Sequence, residues 1–519
     1  MSMIQRINVG DQLTRSAHAR PSQPALVDGD RRWTYAELDA WVNRLARGLV
    51  ERGYRVGDAL ALASANSAEF LAVYYACAKA GVVCVPVNLG WKAAEVAYVL
   101  DHAQVRGIVV ESGLLPDLDL PEVFVVGEGR SGATPLAALE SADASPVEVE
   151  IDDRAPLSYL YTSGTTSFPK GVVGTHLGIH LESMSAALDN GWSAADRFVA
   201  MMPMFHTAQL NAFCTPAVTV GATIHVHRGF DAERFLDTIE RERITQVFGL
   251  PMMYRAALEH PSFGSRDLSS LRRATYAMAA MPESQIKACL DGFFGGRSEA
   301  EPTGWGERSG FSLLFGQTEM SPITTLFRPE HQLSHVGAVG TPLTGVQVGI
   351  MDADGTLLPR GGTGEIVYRG PSTMQEYLHD PDATAEAFRH GWFHSGDVGR
   401  FGEDGVLWFA DRFKDVIKTG GENVASLEVE RAVYDAAPDV AEVVVVGLPH
   451  ERWSEAITAV VVPKPGATVD PAGLVAALKE RLDGYKVPKA VIVVDELPRT
   501  STGKIQKNVV RDTHAEYYT

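Results

Sequence analysis

One short segment of this chain combines the residue types that bind phosphate. Residues 161–171 read Tyr-Thr-Ser-Gly-Thr-Thr-Ser-Phe-Pro-Lys-Gly, so a run of small hydroxyl and glycine residues precedes a proline and a lysine. Hydroxyls and closely spaced backbone N–H groups can surround phosphate oxygens, and Lys170 adds a positive charge. Most loops of this composition are simply solvated turns. The segment therefore indicates a phosphate site only where other motifs agree with it.

The segment does not follow the phosphate-loop pattern of kinases and GTPases. That pattern requires glycine five positions after its first glycine, where this chain has Pro169, and Ser or Thr after the lysine, where it has Gly171. Other catalytic patterns are weaker still. There is no GxSxG nucleophile motif, and the histidine pairs at 225/227 and 331/335 lack the further ligand or glutamate of a zinc site. We interpret 161–171 as a nucleotide phosphate site of another kind.

The elements that must position this loop follow an alternating pattern. Residues 157–161 read as a buried strand that leads into the loop. Upstream, the pattern predicts a helix over 35–54, with Thr34 as N-cap and Glu37 completing a capping box. It then predicts a strand at 56–63, a helix at 68–80 and a strand at 82–87. Such alternation predicts an α/β fold with largely parallel sheets.

The pattern changes near residue 411. A charged stretch at 411–415 is followed by a predicted compact α+β module of about 100 residues, a normal size for a small domain. Its predicted elements are a helix at 427–436, strands at 442–447 and 456–462, a helix at 473–482 and a strand at 490–494. We therefore predict a large multi-sheet N-terminal domain, residues 1–411, and a small C-terminal domain, residues 415–519, with the boundary at 412–414.

Composition limits the class of protein. A chain of 519 residues is too long for one core, and 45% hydrophobic with 21% charged residues is ordinary for a globular protein. The net charge of −19 argues against nucleic acid or an anionic membrane as partner. Four cysteines without a CxxC pair, and no long apolar run, favour a reduced, cytoplasmic setting without an integral membrane segment. A monomer or a homodimer is expected.

The loop at 161–171 resembles the signature of the adenylate-forming superfamily: acyl- and aryl-CoA synthetases, peptide-synthetase adenylation domains and beetle luciferases. Further matching segments follow in the order that the superfamily uses: 315–319, 391–397, 412–414, 418–423 and 498–504. Three departures stand out. Ser167 replaces a usual Gly, Ser426 replaces a common Pro, and 279–282 reads Ala-Ala-Met-Pro where Gly-Gly-Ala-Pro often lies near the adenine.

The resemblance implies a role for each matching residue. Glu319 would hold Mg²⁺, and Lys504 would contact the carboxylate and the α-phosphate during adenylation. The small domain would then turn about the hinge residue Lys414, so that a glycine-rich strand with Gly420, Gly421 and Glu422 lines the tunnel for coenzyme A. The residues implied in ATP binding are Thr162, Ser163, Gly164, Thr165, Thr166 and Lys170 in the loop, Phe315, Gly316, Gln317 and Thr318 in the second motif, and Asp397 and Arg412 at the ribose. Among these, Thr165 is also a catalytic candidate.

The same resemblance guides the choice of substrate. Residues 203–206 resemble the motif whose histidine and aromatic residue gate the acyl pocket, which makes His206 a further catalytic candidate. Residues 207–213 contain no acid to pair with the ammonium of an amino acid, so a free amino acid is disfavoured. The residues expected to line an apolar pocket are Met204, Phe205, Phe213, Met278, Ala279 and Met320.

The expected activity is that of an ATP-dependent, AMP-forming acyl-CoA ligase for a medium- or long-chain carboxylic acid. An aryl acid of the benzoate or cinnamate type is the alternative substrate. A carrier protein is an alternative acceptor to coenzyme A. Two other classes stay open: a catalytically silent acyl- or nucleotide-binding protein, and a luciferase-like oxygenase.

Overall fold

The computed structural model describes residues 6–114, 120–128, 133–162, 168–279, 281–295, 310–500 and 503–518. Its helices are α1 Gly10–Ala19, α2 Tyr35–Glu51, α3 Ala68–Ala80, α4 Ala93–His102, α5 His176–Asn190, α6 Thr207–Gln209, α7 Thr215–Val220, α8 Ala232–Glu242, α9 Pro251–Glu259, α10 Glu283–Cys289, α11 Pro381–Ala387, α12 Ser426–Ala436, α13 Pro471–Lys479 and α14 Lys507–Thr513. In this part of the chain no helix is both long and apolar enough to span a bilayer.

The strands are β1 Pro24–Asp28, β2 Arg31–Thr34, β3 Ala59–Ala63, β4 Val83–Pro86, β5 Val105–Glu111, β6 Glu122–Val126, β7 Thr134–Pro135, β8 Pro156–Thr162, β9 Lys170–Thr175, β10 Arg197–Ala200, β11 Thr223–Val226, β12 Gln246–Gly249, β13 Arg273–Tyr276, β14 Gly310–Gly316, β15 Ile323–Phe327, β16 Ala338–Pro342, β17 Gln347–Met351, β18 Thr363–Arg369, β19 Phe393–Phe401, β20 Leu407–Arg412, β21 Ile417–Thr419, β22 Glu422–Val424, β23 Val440–His450, β24 Ser454–Pro463 and β25 Ala490–Val493.

The first sheet carries the loop at 161–171. Its strand order is β7-β6-β5-β3-β4-β8-β9. All its neighbours are parallel except β8 and β9, which form an antiparallel hairpin around the loop. The local predictions hold here. Thr34 and Glu37 form the predicted capping box, although α2 ends at Glu51 rather than at residue 54, and α3 has the predicted bounds.

The second sheet differs from the expectation of largely parallel strands. Its order is β17-β18-β19-β20-β16-β15-β14-β13-β12-β10-β11-β1-β2. The half from β14 to β1 is parallel, whereas every pair from β14 through β15, β16, β20, β19 and β18 to β17 is antiparallel. Short connections, such as 402–406 between β19 and β20, explain this half because they join antiparallel neighbours.

The small domain contains a separate sheet in the order β22-β21-β24-β23, with β25 added beside β24. Its own hydrophobic core includes Val429, Val445, Ile457 and Leu478. The predicted elements are present, and the two long strands, β23 and β24, extend beyond their predicted bounds. The predicted fold class, a large multi-sheet α/β domain followed by a small α+β domain, is therefore confirmed.

Candidate active site

The loop at 161–171 spans the end of the β8–β9 hairpin. Thr162 is the last residue of β8 and pairs in register with Lys170, the first residue of β9. The Lys170 ammonium lies 3.7 Å from a carboxylate oxygen of Asp380 and 5.0 Å from the ring centroid of Tyr377. The predicted phosphate ligands Ser163, Gly164, Thr165 and Thr166, together with Ser167, lie outside the described residues.

The second motif follows β14 directly. Phe315 and Gly316 end the strand, and Thr318 and Glu319 lie in a short 3₁₀ turn. At Gly316 the backbone approaches so closely that a Cβ atom would lie 1.9 Å from the carbonyl oxygen of Pro322, so only glycine fits. The side-chain nitrogen of Gln317 is buried without a partner among the described residues, as expected of a group that bonds a ligand.

Tyr377 connects these two motifs, and sequence reasoning missed it. Its hydroxyl donates a hydrogen bond of 2.9 Å to the Glu319 carboxylate, while its ring lies beneath the Lys170 ammonium. Burial and the neighbouring Glu319 raise the pKa of Tyr377, so the hydroxyl keeps its proton and acts as a donor. No local motif marks this residue. Its position depends on residues 375 and 378, which bond back to β9.

Asp397 and Arg412 face each other on adjacent strands. They are paired in register between β19 and β20, and the Arg412 Nε atom donates to Asp397 Oδ1 at 3.2 Å. Asp397 is only 4% exposed. Burial raises the pKa of its carboxyl to about 6, against the opposing charges of Arg412 and Lys504. A carboxylate suits a vicinal diol, because it offers two acceptor oxygens.

Lys504 of the small domain reaches this group. Its ammonium interacts electrostatically with Asp397, Glu319 and Arg412, and burial together with Arg412 lowers its pKa. Protein atoms pack around the side chain, although the residue remains exposed to solvent. The adjacent Gly503 lies against Leu250 of the large domain, where a Cβ atom would be 2.6 Å from a Leu250 methyl group. The structure thus brings the predicted catalytic lysine to the predicted ribose and metal residues.

Two arginines, Arg255 and Arg431, form contacts between the domains near this lysine, and a third, Arg499, links one of those contacts to the turn that carries it. Arg255 of the large domain donates to the carbonyl oxygen of Ala441 at 2.8 Å and lies 3.6 Å from the Glu442 carboxylate. Glu442 in turn pairs with Arg499 at 2.7 Å, and Arg499 donates to the carbonyl oxygen of Gly503 at 2.7 Å. Nearby, Arg431 donates to the carbonyl oxygen of Gly337 at 3.1 Å. The turn that carries Lys504 is therefore held by a chain of contacts that begins in the large domain.

A small cavity lies beside His206. His206 caps α6 by accepting a hydrogen bond from the Ala208 amide. Burial, helped by the charge of Lys504, lowers the pKa of His206 to about 3, so its ring is neutral at physiological pH. The residues that line the cavity are Met202, Pro203, His206, Ala208, Gln209 and Met278.

This lining differs in part from the predicted acyl pocket. Met278 belongs to it, whereas Met204, Phe213 and Met320 are buried in the hydrophobic core. Phe213 is stacked on Phe248 with ring centroids 4.4 Å apart. Phe205 is partly buried, and Ala279 is exposed. Gln209 was missed because a polar side chain is not expected to line an apolar pocket. In the structure its side-chain amide accepts a hydrogen bond from the Met202 amide and donates to Cys214, so its polar atoms are satisfied within the protein.

Gly420 and Gly421 form a hairpin turn rather than the expected glycine-rich strand. They connect β21 to β22 with φ angles of +60° and +89°, which two-residue hairpins favour and glycine adopts without strain. Gly420 lies against the Trp453 ring, and Glu422, the first residue of β22, is exposed. Lys414 is an exposed residue of the 3₁₀ turn between β20 and β21. The roles of these residues stay predictions.

The donor set around Glu319 fits Mg²⁺. The described residues contain no cluster of three acidic, histidine or cysteine side chains that could hold a metal alone. Mg²⁺ commonly takes one or two carboxylates and completes its shell with water and substrate phosphates. A single carboxylate beside a phosphate loop is therefore sufficient.

Comparison with known proteins agrees with this geometry. Residues 13–378 match the family described as AMP-binding enzyme, and residues 428–504 match the AMP-binding enzyme C-terminal domain. This chain belongs to that family. Relatives of this chain are acyl-CoA synthetases and ligases, and we conclude that the chain is an AMP-forming acid–thiol ligase. The family supports ATP and coenzyme A as its substrates.

Three relatives match nearly the whole chain. A feruloyl-CoA synthase of Amycolatopsis sp is 37% identical over 97% of this chain and 98% of its own length. An indoleacetate–CoA ligase of Aromatoleum aromaticum is 34% identical over 97% and 98%. The long-chain-fatty-acid–CoA ligase FadD13 of Mycobacterium tuberculosis is 34% identical over 98% and 99%.

Solved structures match the fold and the domain arrangement. ATP-bound MatB from Rhodopseudomonas palustris is 29% identical, covers 99% of this chain and 100% of its own, and gives a TM-score of 0.88. The apo form of the same protein, with the same coverage and identity, gives 0.79. Over the whole chain the structure is thus more similar to the ATP-bound form than to the apo form.

Proposed function

We propose that this enzyme activates an aryl or arylalkanoic acid as its acyl-adenylate and transfers the acyl group to coenzyme A. The observation that carries the choice of acid is the similarity to two relatives that cover nearly all of the chain and are named for aryl-type acids, a feruloyl-CoA synthase and an indoleacetate–CoA ligase. The small cavity beside His206, lined in part by Met202, Pro203 and Met278, offers the apolar surface against which an aromatic ring packs.

The first step forms the acyl-adenylate. A carboxylate oxygen of the acid attacks the α-phosphorus of ATP, and the bond from that phosphorus to pyrophosphate breaks. Asp397 and Arg412 hold the ribose, and Lys170 with the 162–166 segment binds the phosphates. Lys504 neutralises the charge that develops between the carboxylate and the α-phosphate, and such positioning and charge neutralisation supply most of the catalysis. Mg²⁺ bound at Glu319 would supply further positive charge.

The second step transfers the acyl group. The small domain turns about Lys414, which removes Lys504 from the cleft and brings the Gly420–Gly421 turn towards it. The thiol of coenzyme A loses its proton to solvent, and its sulfur attacks the acyl carbonyl carbon. The bond from that carbon to the phosphate oxygen then breaks, and AMP leaves with the oxygen. Because His206 is neutral, it does not form an ion pair with the carboxylate of the acid. It borders the acyl cavity as a gate.

A medium- or long-chain aliphatic acid is the second candidate. FadD13 matches this chain at 34% identity over nearly its whole length, and the walls contributed by Met202 and Met278 are flexible enough to adapt. Transfer to a carrier protein instead of coenzyme A, the cytoplasmic location and a monomeric or homodimeric state are further proposals.

One experiment separates the two acids. The purified enzyme is given ATP, Mg²⁺, coenzyme A and a mixture of benzoate, cinnamate, indole-3-acetate, octanoate and palmitate, and the thioesters are identified by mass spectrometry. The proposal requires aryl thioesters at the highest kcat/KM. Thioesters of octanoate or palmitate alone would reject the aryl assignment. In a parallel incubation that contains a carrier protein with its phosphopantetheine arm, acyl transfer to that protein without turnover of coenzyme A would reject coenzyme A as the acceptor.

A pocket variant sharpens this test. Met278 has a left-handed φ of +66°, which glycine adopts without strain, so Met278→Gly enlarges the cavity while relieving the backbone. We expect the kcat/KM ratio of palmitate to cinnamate to rise about ten-fold, the scale of one or two methylene contacts in a hydrophobic pocket. Met252→Ala, at an exposed methionine on α9, is the control and leaves the ratio unchanged.

A further inference from the structure

A buried hydrogen-bonded contact crosses the hinge. Asp411 is in β20, within the sheet of the large domain, and Ser426 is the first residue of α12 in the small domain. The Ser426 amide and hydroxyl both donate to Asp411 Oδ2, each at 2.6 Å. Asp411 is 3% exposed and Ser426 is fully buried. The hinge residue Lys414 lies between them in the chain, so a turn of the small domain about Lys414 moves these partners relative to each other.

Two charged side chains of the small domain, Lys507 and Glu430, support the contact. The Lys507 ammonium contacts the Ser426 hydroxyl and pairs with Glu430 at 2.9 Å. Glu430 also accepts a hydrogen bond of 3.0 Å from the Val445 amide. The other oxygen of Asp411 accepts from the Arg412 amide at 2.9 Å. In this orientation the polar groups of the contact therefore have hydrogen-bond partners. A turn that separated Asp411 from its Ser426 donors would leave a buried carboxylate without them, which costs free energy.

This contact depends on one of the three departures from the superfamily pattern. Proline is common at the position of Ser426, and proline has neither an amide hydrogen nor a hydroxyl. A chain with proline there could not make either bond to Asp411. Proline would otherwise suit the position, because the first residue of a helix needs no amide donor. The serine therefore adds an interaction across the hinge without being required for the helix.

We propose that Ser426 is a positioning residue, which holds the small domain in the orientation that places Lys504 in the cleft by donating two hydrogen bonds to Asp411 across the hinge. This inference rests on the proposed two-step function. In the same orientation Lys504 interacts with Asp397 and Glu319, and the whole chain is more similar to the ATP-bound than to the apo form of MatB. Ser426 thus biases this enzyme towards adenylation and slows the turn towards thioester formation.

The test is Ser426→Pro, which restores the common residue and removes both donors. Two half-reactions are measured separately: acid-dependent exchange of pyrophosphate into ATP, and thioester formation from supplied acyl-adenylate and coenzyme A. We expect the ratio of exchange to thioester formation to fall about ten-fold, the scale of losing hydrogen bonds to a buried carboxylate. Ser426→Ala keeps the amide donor and is expected to lower the ratio by a smaller factor.

Two comparisons keep this test decisive. Glu428→Gln lies on the same helix and removes the charge that pairs with Lys486 within the small domain without touching Asp411 or Ser426, so we expect the ratio of the parent enzyme. Thermal unfolding of each variant separates loss of stability, which lowers both half-reactions together, from a changed ratio. An unchanged ratio in folded Ser426→Pro overturns the inference. Absence of exchange in the parent enzyme would instead overturn the proposed function.

Discussion

The ribose side of the site and the lysine that completes it are held in different ways. Asp397 and Arg412 are placed by strand pairing within one sheet. The register of the two strands therefore fixes their backbone positions relative to each other. Lys504 is placed by side-chain contacts across a domain boundary, through Arg255, Glu442 and Arg499. The first half of the site is therefore a fixed receptor, and the second half can leave it. Such a division allows one cleft to serve two chemical steps.

Removing the lysine should have the largest effect and should separate the steps. Lys504→Ala is expected to lower acid-dependent pyrophosphate exchange by about 10²–10³-fold, the range for loss of one charge-stabilising group. Thioester formation from supplied acyl-adenylate should be nearly unaffected, because Lys504 has left the cleft in that step. Both rates are measured on the same preparation. Equal losses in the two half-reactions would contradict the assigned role.

Substitution of Asp397, in the fixed half of the site, should weaken ATP binding. Asp397→Asn removes the charge that faces Arg412 and the ribose, and we expect kcat/KM for ATP to fall about 10²-fold, as expected for misplacement of a bound substrate. The loss should be expressed mainly in KM for ATP. Asn keeps the shape, so the folding of β19 and β20 is retained. A normal KM for ATP would show that Asp397 does not contact the nucleotide.

Loosening the movable half should have a smaller effect. Arg255→Ala removes the contact of the large domain with Ala441 and Glu442, and we expect adenylation to fall about ten-fold, the scale for hydrogen bonds to charged groups. Thioester formation from supplied acyl-adenylate should not fall. Arg241→Ala removes an exposed arginine that pairs only along its own helix, with Asp237, and is the matched control. A loss in both steps would indicate that Arg255 serves stability alone.

The pH dependence of adenylation should show the titration of Asp397, in the fixed half of the site, and of Lys504, in the movable half. Burial raises the pKa of Asp397 to about 6, and the ribose needs its ionised form, so kcat/KM for ATP should fall as the pH drops below about 6. Burial lowers the pKa of Lys504, and catalysis needs its protonated form, so activity should also fall at alkaline pH, below the usual range of lysine. Lys504→Ala should lose the alkaline limb, and its acidic limb should move to higher pH because the charge of Lys504 helps to keep the Asp397 carboxyl ionised. A flat profile between pH 5 and 7 would contradict the state assigned to Asp397.

The stability of the fold should have the opposite dependence on Asp397. A carboxyl whose pKa is raised on folding binds protons more tightly in the folded state, so it contributes stability at acidic pH that is lost as the pH rises through about 6. Asp397→Asn carries no charge and should reduce that loss. The measurement is the free energy of unfolding of both proteins between pH 4 and pH 7.

Sequence reasoning recovered what is encoded locally. The capping box at Thr34 and Glu37, the bounds of α3, and the grouping of Asp397, Arg412, Glu319 and Lys504 all follow from short motifs. Contacts between distant segments carry no such motif. Tyr377 was missed for this reason, as was Arg255, which lies 187 positions from Glu442 in the chain.

Side-chain direction was the other limit. Met204, Phe213 and Met320 have the apolar character of pocket residues, but they lie in the hydrophobic core and do not line the cavity. Ala208 and Gln209 line it instead, and Met202 belongs both to the core and to the cavity wall. Residues 207–220 form one helical stretch that includes a π-helical segment at Leu210–Cys214. This widened turn shifts which side chains share a face, and spacing in the sequence does not reveal it.

The most direct test of the central claim, that this cleft joins an organic acid to AMP, is acid-dependent exchange of radiolabelled pyrophosphate into ATP without coenzyme A. The account predicts exchange that requires an acid, is fastest with aryl acids, and is lost in Lys504→Ala. Absence of exchange with every acid, from protein shown to be folded by its circular dichroism, would contradict it.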